Sequence, residues 1–418
     1  MTINIWKLFL FGLTVSGLSI CTASPVPQKN DAMLASQLYS LEPTPSRSTL
    51  KANASGYLAT LLEDPANIEV THAKVDQALL DKKTGSIVIA LPTGENVKFD
   101  LRYVNSPVAG DDRWEGWVGH VPSQWKTTHA ASPNELDNDP FYYLSIVRHG
   151  GDLVGGFRVA GKLYSLEQVA AGQHVLIKVD ESKLPPLDKP VIDNLQRPAQ
   201  EVASPAKTPH STIRLLMVST DQKRAASPGY RLSMVNSVQT VNLYLANSKV
   251  EVTLEIAGFL DADYDEAGKS TSERLADMRP TRALGKLIEN DRAVLRADLA
   301  AMYSQNANNG CGAVNVRASK ENAFLVYACD RGLSYYVGRA FGASNQVRPE
   351  GASGYQYGFE SKDPKFVTLT LWGGWGGFID YFSNPRLTYK DVSLGVEDKN
   401  DVARFLEERR EVIENFYP

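Results

Sequence analysis

Residues 333–345 read Leu-Ser-Tyr-Tyr-Val-Gly-Arg-Ala-Phe-Gly-Ala-Ser-Asn, and this stretch decides how the C-terminal half is interpreted. The apolar and aromatic side chains over 333–341 predict a helix, and Gly342 predicts a sharp turn at its end. The segment before it, 323–328, is a short apolar run typical of a buried strand. A strand that leads into a helix and a glycine turn indicates an α/β domain.

Alternation and helical spacing extend this pattern over residues 211–418. The other predicted elements are strands at 213–219, 250–256 and 297–303 and helices at 234–247, 282–296 and 401–416. We therefore predict an α/β domain with a mixed sheet at 211–418. Six prolines fall among polar residues at 183–210, which predicts an exposed linker before this domain.

The part of the chain before the linker has the short apolar runs and turns of a β-rich domain at 52–182. Two runs, 85–91 and 97–103, flank a Pro-Thr-Gly-Glu turn and predict a hairpin. Further strands are predicted at 142–147, 153–159, 162–166 and 174–179. Residues 24–51 are polar with scattered Pro and Ser, and we predict a disordered lead-in there.

The N-terminus has the pattern of a secretory signal. Lys7 precedes an apolar stretch at 8–20, and a small residue, Ala23, offers a cleavage site. We expect a signal peptide at 1–23 and a secreted or periplasmic protein. The alternative is a lipoprotein anchored through Cys21. The later sequence contains no apolar run long enough to span a membrane.

Charge and cysteine content narrow the classes of function. The formal net charge is −4 and the pI is about 6.0, so we expect no nucleic-acid partner. Beyond the predicted signal peptide only Cys311 and Cys329 remain. An even pair in an exported protein favours one disulfide, although two buried thiols are the alternative.

Three pieces of the C-terminal half occur in an order and spacing typical of one family. The first piece is Cys311-Gly312 with Cys329, and the second is the 333–345 stretch. The third runs from Phe382-Ser-Asn-Pro385 through Tyr389 and Gly395 to Asp401-Val-Ala-Arg404. Residues 212–417 resemble the reprolysin-like metallopeptidases of the metzincin group, in their bacterial form. The resemblance implies a two-domain α+β and α/β fold: a β-rich prodomain, then a metzincin-like domain with a remnant of the active-site helix.

The resemblance also shows where the zinc motif should lie. The family pattern is H-E-x-x-H-x-x-G-x-x-H, in which three histidines hold zinc and the glutamate is the general base. With Gly342 as the motif glycine, the histidine positions are Tyr335, Arg339 and Asn345, and the glutamate position is Tyr336. Only the glycine is retained, so we expect no catalytic residue here.

The positions of the histidines also indicate that no histidine zinc site is present in the C-terminal half. All six histidines lie before residue 211, so residues 211–418 cannot form a histidine zinc site. The fixed positive charge of Arg339 would repel a divalent cation, and we expect it to pair with a carboxylate. The methionine of the turn beneath the metal corresponds to Thr370. We therefore predict that no zinc or other cofactor is bound.

The leading prediction is a secreted, catalytically inactive metallopeptidase homologue that binds a protein or peptide or regulates an active peptidase. One alternative is an active metallopeptidase with an unorthodox metal site. Another is an enzyme of changed chemistry that uses Tyr335, Tyr336 and Arg339. A candidate binding surface is Trp-Gly-Gly-Trp-Gly-Gly-Phe at 372–378, with Trp372, Trp375 and Phe378. The competing interpretation is that these aromatic side chains fill the space left by zinc.

Overall fold

The computed structural model describes residues 37–80, 83–187, 205–305, 307, 310–329, 332–371 and 377–418. Several predicted features lie outside the described residues: the signal peptide with Cys21, residues 24–36 of the lead-in, and both Trp372 and Trp375. Within the described ranges, no helix is long and apolar enough to cross a membrane.

The N-terminal half is organised by one nine-stranded antiparallel sheet, with strand order β1-β2-β9-β8-β7-β6-β5-β4-β3. Its strands are β1 (Tyr39–Leu41), β2 (Asn67–Val75), β3 (Ser86–Ala90), β4 (Asn96–Asn105), β5 (Trp114–Pro122), β6 (Asn138–His149), β7 (Asp152–Val159), β8 (Lys162–Ala170) and β9 (Gln173–Val179). Short helices accompany them: α1 (Arg47–Asn53), α2 (Gly56–Glu63) and α3 (Gln124–Thr128). The predicted hairpin is confirmed, because β3 and β4 pair across their turn.

The chain just before β1 nearly closes this sheet. The Leu38 amide donates to the Val88 carbonyl on β3 at 3.0 Å, and the Tyr39 hydroxyl donates to the Ala90 carbonyl at 2.9 Å. Leu38, Tyr39 and Leu50 are buried. The prediction of disorder over 24–51 is therefore wrong for its described part. Leu38 and Tyr39 pack into the core of the N-terminal sheet and Leu50 packs beside Leu62, so burial of apolar surface orders this part of the chain.

The C-terminal half is organised by a five-stranded mixed sheet of order β11-β10-β12-β14-β13, in which only β13 is antiparallel to its neighbour. Its strands are β10 (Ser211–Ser219), β11 (Val252–Asp261), β12 (Leu299–Tyr303), β13 (Gly312–Val314) and β14 (Phe324–Tyr327). Two hairpins follow: β15 (Glu360–Lys362) with β16 (Lys365–Val367), and β17 (Asn384–Tyr389) with β18 (Val392–Leu394). The predicted mixed sheet is confirmed.

Four helices of this half match the predicted spans to within a few residues, and two short ones, Asp221–Ala226 and Thr271–Asp277, were not predicted. In chain order the helices are α4 (Asp221–Ala226), α5 (Tyr230–Asn247), α6 (Thr271–Asp277), α7 (Ala283–Leu295), α8 (Gly332–Phe341) and α9 (Val402–Glu414). The last helix begins as its sequence predicts, since the Asp401 side chain accepts a hydrogen bond from the Arg404 amide at 3.0 Å. Asp401 also holds Arg386 through an ion pair, which fixes the start of α9 against β17.

The two sheets share one hydrophobic core, and α5 lies between them. Trp114, Val118 and Tyr143 of the first sheet pack in the same cluster as Val235 and Val238 of α5. A buried amide adds directional contacts, because Nε2 of Gln239 donates to the Ile146 carbonyl and to Oγ of Ser145, both at 3.0 Å. The described residues accordingly belong to one compact unit.

Segments of the N-terminal half also cover both edges of the mixed sheet. At the β11 edge, the Ile256 amide donates to the Pro107 carbonyl at 2.7 Å, and the Ala109 amide donates back to Ile256 at 2.9 Å. At the other end, the Cys311 amide just before β13 donates to the Pro186 carbonyl at 3.0 Å. Each outer strand therefore meets a piece of the first half of the chain.

The second of these contacts corrects the predicted linker. Residues 183–210 were expected to be exposed throughout, but Leu187 is only 6% exposed and belongs to the main core. Leu184 packs against the same core. The prolines dominate the composition of this stretch, whereas Leu184 and Leu187 decide where its described start lies, because their burial removes apolar surface from water. Residues 205–210, at the far end of the stretch, are mostly exposed as predicted.

Candidate functional site

Helix α8 carries the degenerate motif, and all ten of its residues are buried. It ends at Gly342, whose φ is +113°, with the Gly342 amide bonded to the Arg339 carbonyl at 2.9 Å. A Cβ at this position would lie 3.1 Å from both Arg317 and Phe405. Gly342 therefore makes the turn that the sequence predicts, for two reasons: its backbone angle and the closeness of its neighbours.

The turn brings the first and third zinc-ligand positions together. The Asn345 side-chain amide donates to the Tyr335 hydroxyl at 2.9 Å, and both side chains are buried. In the family motif these two positions would both face the metal. Here they hold each other, because a phenol oxygen accepts the hydrogen bond that the amide offers.

Arg339, at the second ligand position, is 4% exposed. One of its terminal nitrogens donates to the Ala343 carbonyl, just beyond the end of α8. Burial lowers the pKa of the guanidinium from its ordinary value, and the nearby Tyr335 partly offsets this. A helix C-terminus presents carbonyl dipoles with a partial negative charge, and this stabilises the buried cation.

The expected carboxylate partner of Arg339 is therefore not found. No described Asp or Glu lies within 4.0 Å of its guanidinium, whereas many other arginines in the described ranges do form such ion pairs. Among the described residues the guanidinium has instead one hydrogen bond, to the Ala343 carbonyl at the helix end, and its Nε is buried without a partner.

Tyr336, at the general-base position, packs towards the edge strand of the sheet. A Cβ on Gly312 would lie 2.7 Å from its ring, so the glycine at the start of β13 makes room for it. Its ring is 5.1 Å from that of Tyr335, edge to face. The phenol ring of Tyr336 fills space at the position where the family motif has a glutamate, whose carboxylate would lie beside a water molecule.

The floor of the site is formed by the chain around Thr370, the position predicted for the turn beneath the metal. Thr370 has a φ of +80° and is buried. A Cβ on Gly338 of α8 would lie 3.0 Å from its methyl group and 3.0 Å from Phe382. The chain thus passes directly under α8, and Gly338 permits this close approach.

Phe378, offered as part of an exposed binding surface, is buried at 7% exposure. Main-chain pairing between Ile379 and Val367, at 2.9 Å, holds this segment beside β16. The surface prediction is therefore wrong for Phe378, which packs inward. It joins Leu187, Tyr335 and Thr370 around a cavity of about 20 Å³. This space holds at most one water molecule, so the site is nearly filled by protein.

The disulfide between Cys311 and Cys329 is present, with an S–S distance of 1.98 Å. It joins the residue before β13 to the turn before α8, and the Cys311 carbonyl also accepts from the Ala328 amide at 2.7 Å. The bond therefore connects the edge strand to the helix that carries the motif. Of the two cysteine interpretations, the disulfide is confirmed.

A larger cavity of about 440 Å³ lies elsewhere, between the first sheet and the carboxyl ends of the parallel strands. Its charged side chains include Glu167, which accepts from Tyr57 at 3.2 Å, and Lys223, which lies 3.8 Å above the Tyr303 ring. None of the four motif positions lines it. This cavity is thus separate from the degenerate site.

A buried charge cluster near the site was missed by the sequence analysis. Arg158 on β7 is 1% exposed and forms an ion pair with Glu181 at 2.8 Å. Asp380 lies close by, and burial raises its pKa to about 7, while the positive charge of Arg158 lowers it. Tyr143 and Tyr244 face the same group. The only sequence signal is single charged residues within apolar runs, so the cluster becomes recognisable only when the two sheets are placed together.

The residues at and after α8 thus form a buried, nearly filled cluster joined by the Tyr335–Asn345 hydrogen bond. Relatives found by sequence comparison are named as metalloendopeptidases. The chain is 26% identical over 396 residues to a peptidyl-Asp metalloendopeptidase of Stenotrophomonas maltophilia, covering 90% of this chain and 93% of that protein. It is 26% identical over 417 residues to a protein of the same name from Xanthomonas campestris pv. campestris, covering 94% and 95%.

Other comparisons add little. No family model matches the chain. Among solved structures, a chaperone–substrate complex aligns with a TM-score of 0.42 and 17% identity, over 66% of this chain and 44% of that one. Metalloproteinase-II from Bacteroides fragilis aligns with a TM-score of 0.39 and 9% identity, over 63% and 83%. Both scores are too low to carry an argument. The chain is thus similar in sequence to metalloendopeptidases along nearly all of its length.

Proposed function

We propose that this protein is a secreted metallopeptidase homologue of the reprolysin-like, metzincin type that has lost zinc catalysis and acts by binding a protein or peptide. The observation that carries the proposal is the ligand set on and after α8. Its three positions are a phenol, a guanidinium and an amide, at Tyr335, Arg339 and Asn345, and two of them bond to each other. The predicted signal peptide and the disulfide support secretion.

Zinc does not fit these residues. A protein zinc site needs lone pairs from imidazole, thiolate or carboxylate groups, and a guanidinium has none to offer. In the described ranges, no three His, Cys, Asp or Glu side chains converge on one point. We therefore derive no hydrolytic step through a metal-bound water. The side chains that remain can pack and form hydrogen bonds, and this supports a binding role.

The metzincin assignment is supported by how the chain turns around α8. Gly342 lets Asn345 return to Tyr335, as the third ligand of the motif must return to the first. Thr370 passes beneath the helix at the position of the family's methionine turn. These placements follow the family pattern even though the residue types do not.

Metal analysis of the purified full chain tests the proposal, together with a protease assay on a general protein substrate. We expect substoichiometric zinc and no activity that a chelator abolishes. The names of the relatives favour one competing function, an active metalloendopeptidase with an unorthodox metal site. Stoichiometric zinc with chelator-sensitive proteolysis would establish that function and overturn ours.

A further inference from the structure

The cavity of about 440 Å³ between the two sheets is a second candidate site. Pockets that bind small molecules commonly measure about 300–1,000 Å³. Its walls come from both halves of the chain: α2, β7 and β8 on one side, and α4, α5 and the end of β12 on the other. Glu63 and Asp64 line it and are exposed, so the cavity opens to solvent at the end of α2.

Two buried side chains of opposite charge line this cavity from opposite halves of the chain. Glu167 on β8 and Lys223 on α4 are each 7% exposed. The Tyr57 hydroxyl donates to the Glu167 carboxylate at 3.2 Å, and Nζ of Lys223 lies 3.8 Å from the centre of the Tyr303 ring. A ligand with one charge of each sign can complement both groups, whereas a dianion or a dication is repelled by one of them.

Helix α5 adds hydrogen-bond acceptors to the same cavity. The Ser237 hydroxyl donates to the Ser233 carbonyl at 2.8 Å, and the Thr240 hydroxyl donates to the Asn236 carbonyl at 2.8 Å. Because these hydrogens are used within the helix, the two oxygens offer lone pairs to a ligand. An ammonium group carries three donor hydrogens and no acceptor, so it suits such a wall.

Gly156 on β7 keeps the cavity open. A Cβ at this position would lie 3.6 Å from Nδ2 of Asn236 and 4.0 Å from the Tyr143 hydroxyl, which are ordinary contacts. At the neighbouring Gly155, a Cβ would lie only 3.1 Å from the Ser145 carbonyl oxygen. Packing against protein therefore explains Gly155 but not Gly156. A glycine inside a strand can mark a place where a ligand approaches the backbone closely.

We infer that this cavity binds a small zwitterion with an apolar side chain, either an α-amino acid or a dipeptide. Lys223 binds the carboxylate of the ligand, and Glu167 binds its ammonium group through charge-assisted hydrogen bonds. Leu163 and Ile177, which also line the cavity, offer apolar surface to the ligand's side chain. The inference goes beyond the proposed binding function, because none of the four motif positions lines this cavity.

Isothermal titration calorimetry of the full chain tests the ligand class, with L-phenylalanine and alanyl-phenylalanine as probes and a chelator present to prevent hydrolysis. The matched controls are the N-acetylated form of each probe, which lacks the ammonium group, and the amide form, which lacks the carboxylate. We expect each blocked form to bind at least tenfold more weakly, because losing one charged hydrogen bond lowers affinity roughly 10- to 100-fold. Equal binding of free and blocked forms, or no binding of either free probe at millimolar concentration, overturns the inference.

A cavity-filling variant tests the location. Gly156→Val places a branched side chain in the cavity, and Gly85→Val makes the same change at an exposed glycine with open space around it. We expect Gly156→Val to bind the preferred probe at least tenfold more weakly than the native chain, and Gly85→Val to bind it unchanged. Equal affinities of the two variants place the ligand elsewhere and overturn the inference.

Circular dichroism checks that each variant is folded. If Gly156→Val does not fold, Lys223→Met replaces it, since methionine keeps much of the lysine's length without its charge. This variant should bind the free probe and its amide form equally, because the partner of the carboxylate is gone. A preference for the free carboxylate that survives in folded Lys223→Met contradicts the inference.

Discussion

The hydrogen bond between Asn345 and Tyr335 joins the two residues that we propose occupy the first and third zinc-ligand positions. Both side chains are buried, so neither can exchange its partner for bulk water. A buried polar group that loses its partner costs about 1–3 kcal/mol. The pair therefore stabilises the turn that follows α8.

A double-mutant cycle measures this bond. We expect Tyr335→Phe to lower the free energy of unfolding by about 1–3 kcal/mol, because the Asn345 amide loses its acceptor. Adding Asn345→Ala to Tyr335→Phe should cost less than Asn345→Ala alone, with a coupling of about 1 kcal/mol between the two sites. Urea unfolding of the four chains gives these values. Strictly additive effects would mean that the two side chains do not interact.

At the same scale, the sequence predicted the identity of the four motif positions but not the partners of their side chains. Gly342 was predictable because its role is in the backbone. The partner of Arg339 was not predictable, because it is a main-chain carbonyl four residues further along the chain, and main-chain groups do not depend on residue type. A sequence indicates a buried cation only when a carboxylate that could pair with it lies at a recognisable spacing.

At the scale of elements, helix α8 keeps the geometry of a metal-binding helix. Residues 335 and 339 are four apart and share one face, and the Gly342 turn returns residue 345 to that face. This agrees with our proposal that α8 corresponds to the metal-binding helix of the metallopeptidase family. This predicts that the missing chemistry can be put back at these positions.

Four substitutions test this: Tyr335→His, Tyr336→Glu, Arg339→His and Asn345→His in one chain. We expect it to bind one zinc ion per chain, because the three imidazoles then face one point. Zinc at about 100 times its dissociation constant should raise the stability by about 2.7 kcal/mol, visible as a higher melting temperature. Elemental analysis and thermal melts with and without zinc provide the measurement.

The matched control keeps Tyr336 and carries only the three histidine substitutions. It should bind zinc as well but show no proteolysis, because no carboxylate is present to activate water. A folded four-substitution chain that binds no zinc would contradict the placement of the motif on α8. The position of Leu187 beside residue 335 also predicts that zinc binding strengthens when Leu187→Ala is added.

Elements with a strong periodic pattern were predictable, and weakly patterned ones were not. The hairpin β3–β4, helix α5 and helix α9 were all predicted from apolar spacing. Strand β1 and helix α1 were missed, because a three-residue strand and a two-turn helix leave too few periods to recognise. Such short elements form because they close the N-terminal sheet, and that reason is visible only in three dimensions.

At the scale of the whole molecule, the buried charges between the two sheets should make stability depend on pH. Burial raises the pKa of Asp380 from 3.8 to about 7, against the lowering effect of Arg158. Glu181, the ion-pair partner of Arg158, also has a raised pKa because it is buried. Both carboxyl groups thus hold a proton more tightly in the folded chain than in the unfolded one.

The sign for Asp380 follows from proton uptake. Between about pH 4 and pH 7 the folded chain binds the Asp380 proton and the unfolded chain does not, so stability falls as the pH rises through this window. We expect Asp380→Asn, which stays neutral, to be more stable than the native chain at pH 8 and to differ little from it at pH 4. Urea unfolding across this range measures the difference. A difference that does not change with pH would show that Asp380 does not titrate there.

The junction between the halves could not have been predicted from the sequence. Arg158 and Glu181 lie 23 positions apart, and Asp380 comes almost 200 residues later, so no local pattern joins them. Leu187 was likewise obscured by the prolines around it. Composition predicts how flexible a segment is when free, whereas this segment is held by contacts that another part of the chain supplies.

The contacts at the two edges of the mixed sheet have a consequence for self-association of the protein. An uncovered outer strand presents amides and carbonyls that can recruit a strand from a neighbouring molecule, which is how many sheets begin to aggregate. In the described chain, the Pro107 and Pro186 carbonyls meet the amides of Ile256 and Cys311 at the two ends of the sheet. The N-terminal half therefore acts as a built-in guard against self-association, and this benefit gives a reason to retain it even where no catalysis needs to be restrained.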